Sequence, residues 1–302
     1  MLKNKKSQIF SLIAIAIIML LFVSYEVYSI IYERAAIKTR IRTMDNFLFS
    51  LEQDLSRKLY ISGFRIIFLA ENEITRTGNY IPSFQNFFEE AISNGTINGQ
   101  VTEILYGTTI QNITEDIQEK ADKMSIIANF TNVKVSVSQE DPWNLVIYFN
   151  ATLNLTDKRN LAGWYKNETI KSFVSIEGFE DPLYLISTSG IARKIYRTPY
   201  EGNYVNEGDK TNLSSHLENK YYANNTDAPS FIHRIEGNLQ ANPNGIETFV
   251  YIPEFSAMGF SKSIVDHIYF NLADNTQGST ILDMPSWFKI DTNHCLRYQL
   301  TC

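Results

Sequence analysis

The sequence predicts an α+β protein, in which an N-terminal transmembrane helix continues into a long external helix, packed on an antiparallel sheet and followed by a second sheet-rich unit. Three observations predict it. Ile9 to Val23 is apolar except for Ser11, and Ile37, Ile41, Met44, Leu48, Leu51, Leu55 and Leu59 recur at helical spacings. From Trp143 to Leu155, apolar and polar residues alternate with the period of a strand. The expected organisation is a basic N-terminus at 1–8, a transmembrane helix at 9–32, a helical spine with a sheet at 33–195, and a sheet-rich domain at 200–302.

The apolar run IFSLIAIAIIMLLFV is short for a span of about 20 residues, but Tyr25, Tyr28 and Tyr32 suit the headgroup region and extend it. Lys3, Lys5 and Lys6 precede the run, and no basic residue follows before Arg34, which predicts the N-terminus inside and the bulk outside. A cleaved secretory signal is the competing reading. Val27 and Ser29 would fill the small-residue positions, against Glu26 and the bulky Tyr28.

The net charge is −6, and the lysines ahead of the run leave the remainder more acidic still. Such a surface argues against nucleic acid as a partner. The high aromatic content, 19 Phe, 17 Tyr and 3 Trp, argues for packed domains rather than a disordered stalk.

The segment Lys5-Lys6-Ser7-Gln8-Ile9-Phe10-Ser11-Leu12 resembles the start of archaeal type IV pilin-like precursors. The resemblance covers about 25 residues and implies cleavage near Ser7 and Gln8 on the cytoplasmic side, leaving the apolar helix attached. It departs from the common pattern at Leu12, where many pilins carry Glu. Ser175 to Tyr184 and Ala228 to Gly237 also look like segments of uncharacterised archaeal membrane proteins. By this resemblance the partners are the lipid bilayer and pilin-like subunits or copies of the chain, joined through the N-terminal helix.

The stripe from Ile37 to Leu59 must be covered, either within the chain or between subunits. Ser62-Gly63 offers a bend, after which Phe64, Ile67 and Phe68 resume a helix. A short helix is expected over 83–92, turns at Asn94-Gly95 and Asn98-Gly99, and a third helix over about 113–128 with Asn112 and Glu115 at capping-box spacing. Val133, Val135 and Val137 begin a strand, Trp143 to Leu155 is its partner, and Ile170 to Ile176 is a third, ended by the Glu180-Asp181-Pro182 turn. Asn150, Thr152, Asn154 and Thr156 fall on the solvent face.

Acceptors of the form N-x-S/T stand at Asn94, Asn112, Asn129, Asn150, Asn154, Asn167, Asn212 and Asn224, against roughly four expected by chance from this composition. None precedes the apolar run. Gly190 to Pro199 is a basic patch that reads as a solvated linker or as a surface for anionic lipid or glycan. Beyond it, a helix is expected from Asn212 to about Tyr222, and extended segments at 246–252, 264–270 and 287–290.

Cys295 and Cys302 are the only cysteines, and outside the cell they would close a short loop. As metal ligands they would need partners such as His294, in a spacing that matches no strong zinc pattern. No P-loop, HExxH, serine elbow or dinucleotide glycine pattern occurs, so no catalytic residue, metal ligand or cofactor is assigned. Two weaker sets remain. His233, Glu236, Asp266, His267 and Asp291 would have to meet in space to form a metal or hydrolase site, and Tyr221, Tyr222, Trp287 and Tyr298 would form a carbohydrate platform unless they are core. The function expected is a membrane-anchored extracellular structural or adhesive surface protein, or alternatively an anchored ectodomain that binds or processes a glycan or other substrate.

Overall fold

The computed structural model describes residues 3–255, 261–274 and 276–302. The chain is α+β, with a long N-terminal apolar helix packing on antiparallel sheet. Its first element, α1, runs without a break from Lys3 to Thr77. The expected bend at Ser62-Gly63 is not formed. Gly63 serves close packing instead, because a Cβ there would lie 2.1 Å from Ile147 Cδ1 and 3.2 Å from Val174 Cγ2. Ser62 Oγ donates to the carbonyls of Lys58 and Thr108 at 3.0 and 2.8 Å, so its hydroxyl is satisfied without leaving the helix.

Burial along α1 changes abruptly. Every residue from Gln8 to Tyr28 is exposed, whereas Met44, Leu51, Leu55 and Leu59 are buried. The stripe read from the sequence is therefore intramolecular core from Met44 onward, and Ile37 and Ile41 stay exposed. Each fully buried leucine contributes about 1.5–3 kcal/mol by leaving water.

Helix α2 (Phe84–Asn94) begins where expected, at a Ser83 cap that accepts from Asn86 N, and stops at Gly95 in the left-handed conformation. Asn98 and Gly99, both with positive φ, turn β1 (Thr96–Ile97) back onto β2 (Gln100–Val101). Helix α3 (Ile110–Lys123) starts earlier than the Asn112 capping box implied, because Thr109 Oγ1 takes the capping role and accepts from Asn112 N. It also ends earlier, since Ile126 already belongs to the sheet.

That sheet is β3 (Ile126–Asp141), β4 (Asn144–Asp157) and β5 (Gly163–Ser175), in the order β3-β4-β5. The inward alternation of β4 is as read, with Leu145, Ile147, Phe149, Leu153 and Leu155 buried. Its other face is not wholly open to solvent, since Val146 and Thr152 are buried as well.

Contacts within the chain separate two compact units. The first comprises Met1–Asp54, Thr114–Asn132 and Ala151–Glu168. Here Arg40 ties α1 to the β4–β5 hairpin, its Nε donating to Asp157 and its Nη2 to the carbonyls of Met124 and Ser125 at 2.9 and 2.7 Å.

The second unit comprises Leu55–Ile113, Val133–Asn150 and Thr169–Cys302. Neither unit has a limit near residues 195–200. The C-terminal part is not sheet-rich, which corrects the expectation. Among the described residues it holds two strand pairs, each two residues long, β6 (Ala223–Asn224) with β7 (Ile246–Glu247) and β8 (Ser279–Thr280) with β9 (Lys289–Ile290), together with single bridges such as Phe249 with Val265. Around them lie α4 (Pro182–Ser187), α5 (Thr211–Glu218), α6 (Phe231–Glu236), α7 (Asp266–Tyr269) and α8 (Thr292–Arg297). Of the runs that had read as strands, 264–270 turns into α7, which starts after Val265 without a side-chain cap, whereas α4, α6 and α8 lie outside those runs and are capped. Asp181, expected in a turn, caps α4 by accepting from Leu183 N, with Pro182 opening the helix. Ser230 and Asp291 cap α6 and α8 by accepting from His233 N and His294 N. The core of this part is aromatic, centred on Phe249, Phe288, Tyr184 and Tyr298.

The basic patch is not a solvated linker. Arg193 is buried, donating to the Phe249 carbonyl at 2.9 Å and pairing with Glu254 at 3.1 Å, and Ile195 is core.

Candidate functional site

Among the described residues, charged and polar groups converge within the C-terminal part of the second unit, around Glu247. The site begins with a turn that only glycine permits: a Cβ on Gly245 would lie 2.0 Å from the Ala228 carbonyl oxygen and 2.2 Å from that of Asn225. This packing brings the chain into β7 and seats Glu247 in the core, at 0% exposure.

A buried arginine fixes the flanking backbone. Arg234, on α6, donates through Nη1 to Asp181 Oδ2 at 2.6 Å and to Asp266 Oδ2 at 2.7 Å, and through Nη2 to the Ile246 carbonyl. Ile246 precedes Glu247, and Asp266 precedes His267. One guanidinium therefore anchors the backbone beside two members of the site. Burial opposes the charge on Arg234, but Asp181 and Asp266 outweigh it and hold its pKa above the usual range.

Glu247 faces polar atoms of five side chains. Its Oε1 faces Arg297 Nε at 3.0 Å and Tyr298 OH at 2.9 Å. Its Oε2 faces Asn225 Nδ2 at 2.6 Å, His294 Nε2 at 3.1 Å and His267 Nε2 at 3.4 Å. His294 is oriented from behind, with Nδ1 at 2.9 and 2.8 Å from the two oxygens of Asp291, and Ser263 Oγ holds Asp291 at 2.7 Å. Burial penalises a charged imidazole, but hydrogen bonds to Asp291 and Glu247 push His294 up to about 10. Burial likewise opposes ionisation of Glu247, and the two histidines reverse it, holding the carboxyl well below its ordinary value. One ligand atom from each of Glu247, His267 and His294 lies within 4.8 Å of the other two.

The constellation expected from the sequence forms only in part. His267 and Asp291 belong to the site, Asp266 supports it through Arg234, and His233 and Glu236 lie elsewhere. His233 turns to the Gln240 carbonyl and Glu236 accepts from Phe84 N. Glu247 and His294 were missed as partners. The available signals were a lone carboxylate in the run Ile246 to Ile252 and the three-residue spacing of Asp291 and His294.

The carbohydrate platform does not assemble, because Tyr222 and Tyr298 are fully buried and Trp287 packs edge-on against Tyr251. Cys295 and Cys302 are joined as a disulfide, which removes both from metal chemistry. Of the eight glycan acceptors, Asn94, Asn129, Asn154 and Asn167 are exposed. Asn112, Asn150, Asn212 and Asn224 are half-buried, and the Asn212 amide donates to the Asn203 carbonyl at 2.9 Å. Ser7 and Gln8 lie in the first turns of α1.

No family model, curated protein or solved structure matches the chain.

Proposed function

We propose that the protein is held in a membrane by residues 9–32, with its lysine-bearing N-terminus inside and the remainder outside, where it serves as a pilin-like surface protein with a structural or adhesive role. The observation that carries this reading is the continuous exposed apolar surface from Ile9 to Val23 on a helix whose later turns are buried core. Fifteen consecutive positions with a single polar residue would cost tens of kcal/mol to leave in water at about 25 cal/mol per Å². Continued as helix through Tyr32, the segment rises about 36 Å, enough for a hydrocarbon core of about 30 Å.

Three further features support the external side. The lysines ahead of the span resist translocation. The Cys295–Cys302 disulfide suits an oxidising compartment, and four acceptor asparagines stand where a glycan meets no packing. Exposed Ile37 and Ile41, just beyond the span, continue the apolar surface toward a second copy or a pilin-like subunit.

Extraction of membranes with alkaline carbonate tests the anchor. The full chain is expected to stay with the lipid, and a variant lacking residues 9–32 to be released. Release of the full chain would overturn the reading. N-terminal sequencing of the retained protein then reports processing, and a new terminus near Ser7 or Gln8 is the expected result.

A further inference from the structure

We propose that Glu247, His267 and His294 bind one divalent cation of the zinc class, with Asp291 as the positioning residue for His294. The cation would tie β7, α7 and α8 together.

Potential donors around Glu247 are in surplus. A carboxylate offers about four lone-pair sites. Glu247 faces five side-chain nitrogen or oxygen atoms, three of them crowded on Oε2. Hydrogen bonds alone leave at least one of the five without a lone pair of Glu247, and the two imidazole nitrogens crowd Oε2 together with Asn225 Nδ2, which also lies 3.4 Å from His294 Nε2. A cation removes the conflict, because two neutral imidazoles then give lone pairs to the metal instead of competing to donate to one oxygen.

The spacing of the ligand atoms is close to that of a metal site. Bonds of about 2.0–2.1 Å in a tetrahedron place neighbouring ligand atoms about 3.3 Å apart. Oε2 lies 3.1 Å from His294 Nε2 and 3.4 Å from His267 Nε2. All three atoms fall within 4.8 Å of one another, so the two rings have to close in by at most about 1.5 Å to complete the set.

His294 already has the support that metal-bound histidines carry. Its Nδ1 is held by Asp291 and Asp291 by Ser263, which leaves Nε2 as the atom presented to the site. Finally, two imidazoles and one carboxylate, with no thiolate, suit zinc better than calcium or magnesium, which prefer all-oxygen shells. His267 and His294 retain 8% and 6% exposure, so the cluster is not wholly sealed from solvent.

The test uses the full chain, purified in detergent on a tag without histidine and stripped with a chelator. Co2+ is titrated by visible absorption, then displaced with Zn2+ in competition against a chromophoric chelator. One Co2+ per chain, with the intense bands of low coordination number, is expected. His267→Ala and His294→Ala should each weaken Zn2+ binding by about 100-fold or more, and Asp291→Asn by about 10–100-fold. Zn2+ should raise the melting temperature of the wild type and leave that of His267→Ala unchanged. The wild-type titration stands even if a variant fails to fold. The absence of any Co2+ spectrum at one equivalent and above would show a metal-free ion-pair cluster and overturn the proposal. Equally tight binding by a folded His267→Ala chain would overturn it too.

Discussion

Replacing Arg234 with methionine is the sharpest probe of how the second unit is held together. The side chain is fully buried, as are Asp181 and Asp266, and its guanidinium supplies Asp181, Asp266 and the Ile246 carbonyl. Three hydrogen bonds to or from charged groups, at about 1.5–3 kcal/mol each, give a gross loss of about 5–9 kcal/mol. Methionine refills part of the volume, and removing one partner of a buried ion pair costs about 3–5 kcal/mol, so a net loss of about 4 kcal/mol is expected. Typical domains have about 5–15 kcal/mol in total, so the variant should be close to unfolding at room temperature. Urea denaturation of the detergent-solubilised full chain, followed by tryptophan fluorescence, measures this directly. The triple variant Arg234→Met, Asp181→Asn, Asp266→Asn should recover part of the loss, because it leaves no uncompensated buried charge. A loss below about 1 kcal/mol for the single variant would refute the assignment of the guanidinium as the anchor of this unit.

The remaining predictions concern separate parts of the fold. Burial raises Glu71 from 4.5 to about 8, against the hydrogen bond it accepts from Glu180 N. An acid whose folded pKa is raised contributes full stability below about pH 4.5 and loses it as pH climbs through 8, by up to about 5 kcal/mol at about 1.4 kcal/mol per unit. Glu71→Gln should therefore match the wild type at pH 5 and exceed it in stability at pH 8.5; an unchanged difference between the two pH values would count against a neutral Glu71. Leu55→Ala should cost about 2–5 kcal/mol by opening a cavity, and Ile41→Ala, at an exposed site, less than about 1 kcal/mol, both read from urea midpoints. Reduction of Cys295–Cys302 should cost about 2–3 kcal/mol, the loop entropy of so short a closure, and should loosen α8 in amide exchange. No change in either stability or exchange on reduction would contradict that role.

The parts of the fold that were legible in the sequence are those with a long period. The apolar run behind three lysines, the stripe on α1 and the alternation in β4 each repeat often enough to show one face. Gly63 misled because a glycine in a helix reads as a break, whereas here it clears space for Ile147 and Val174, which lie far away in sequence. The C-terminal part misled for the opposite reason. Its strands are two residues long, too short for a period, and its helices are set by single capping side chains such as Asp181 and Asp291. The site around Glu247 depends on Asn225, Glu247, His267 and His294, carried by four separate segments, and no local spacing joins them. Of the four, only His267 stood in the constellation drawn from the sequence.

The claim on which the account rests is that the apolar helix crosses a bilayer with the folded units outside. External protease applied to intact cells, with separate tags on the N-terminus and on the C-terminus, tests it most directly. The account predicts that the C-terminal tag is lost while the N-terminal tag is kept. Protection of the C-terminal tag until the cells are lysed would contradict it.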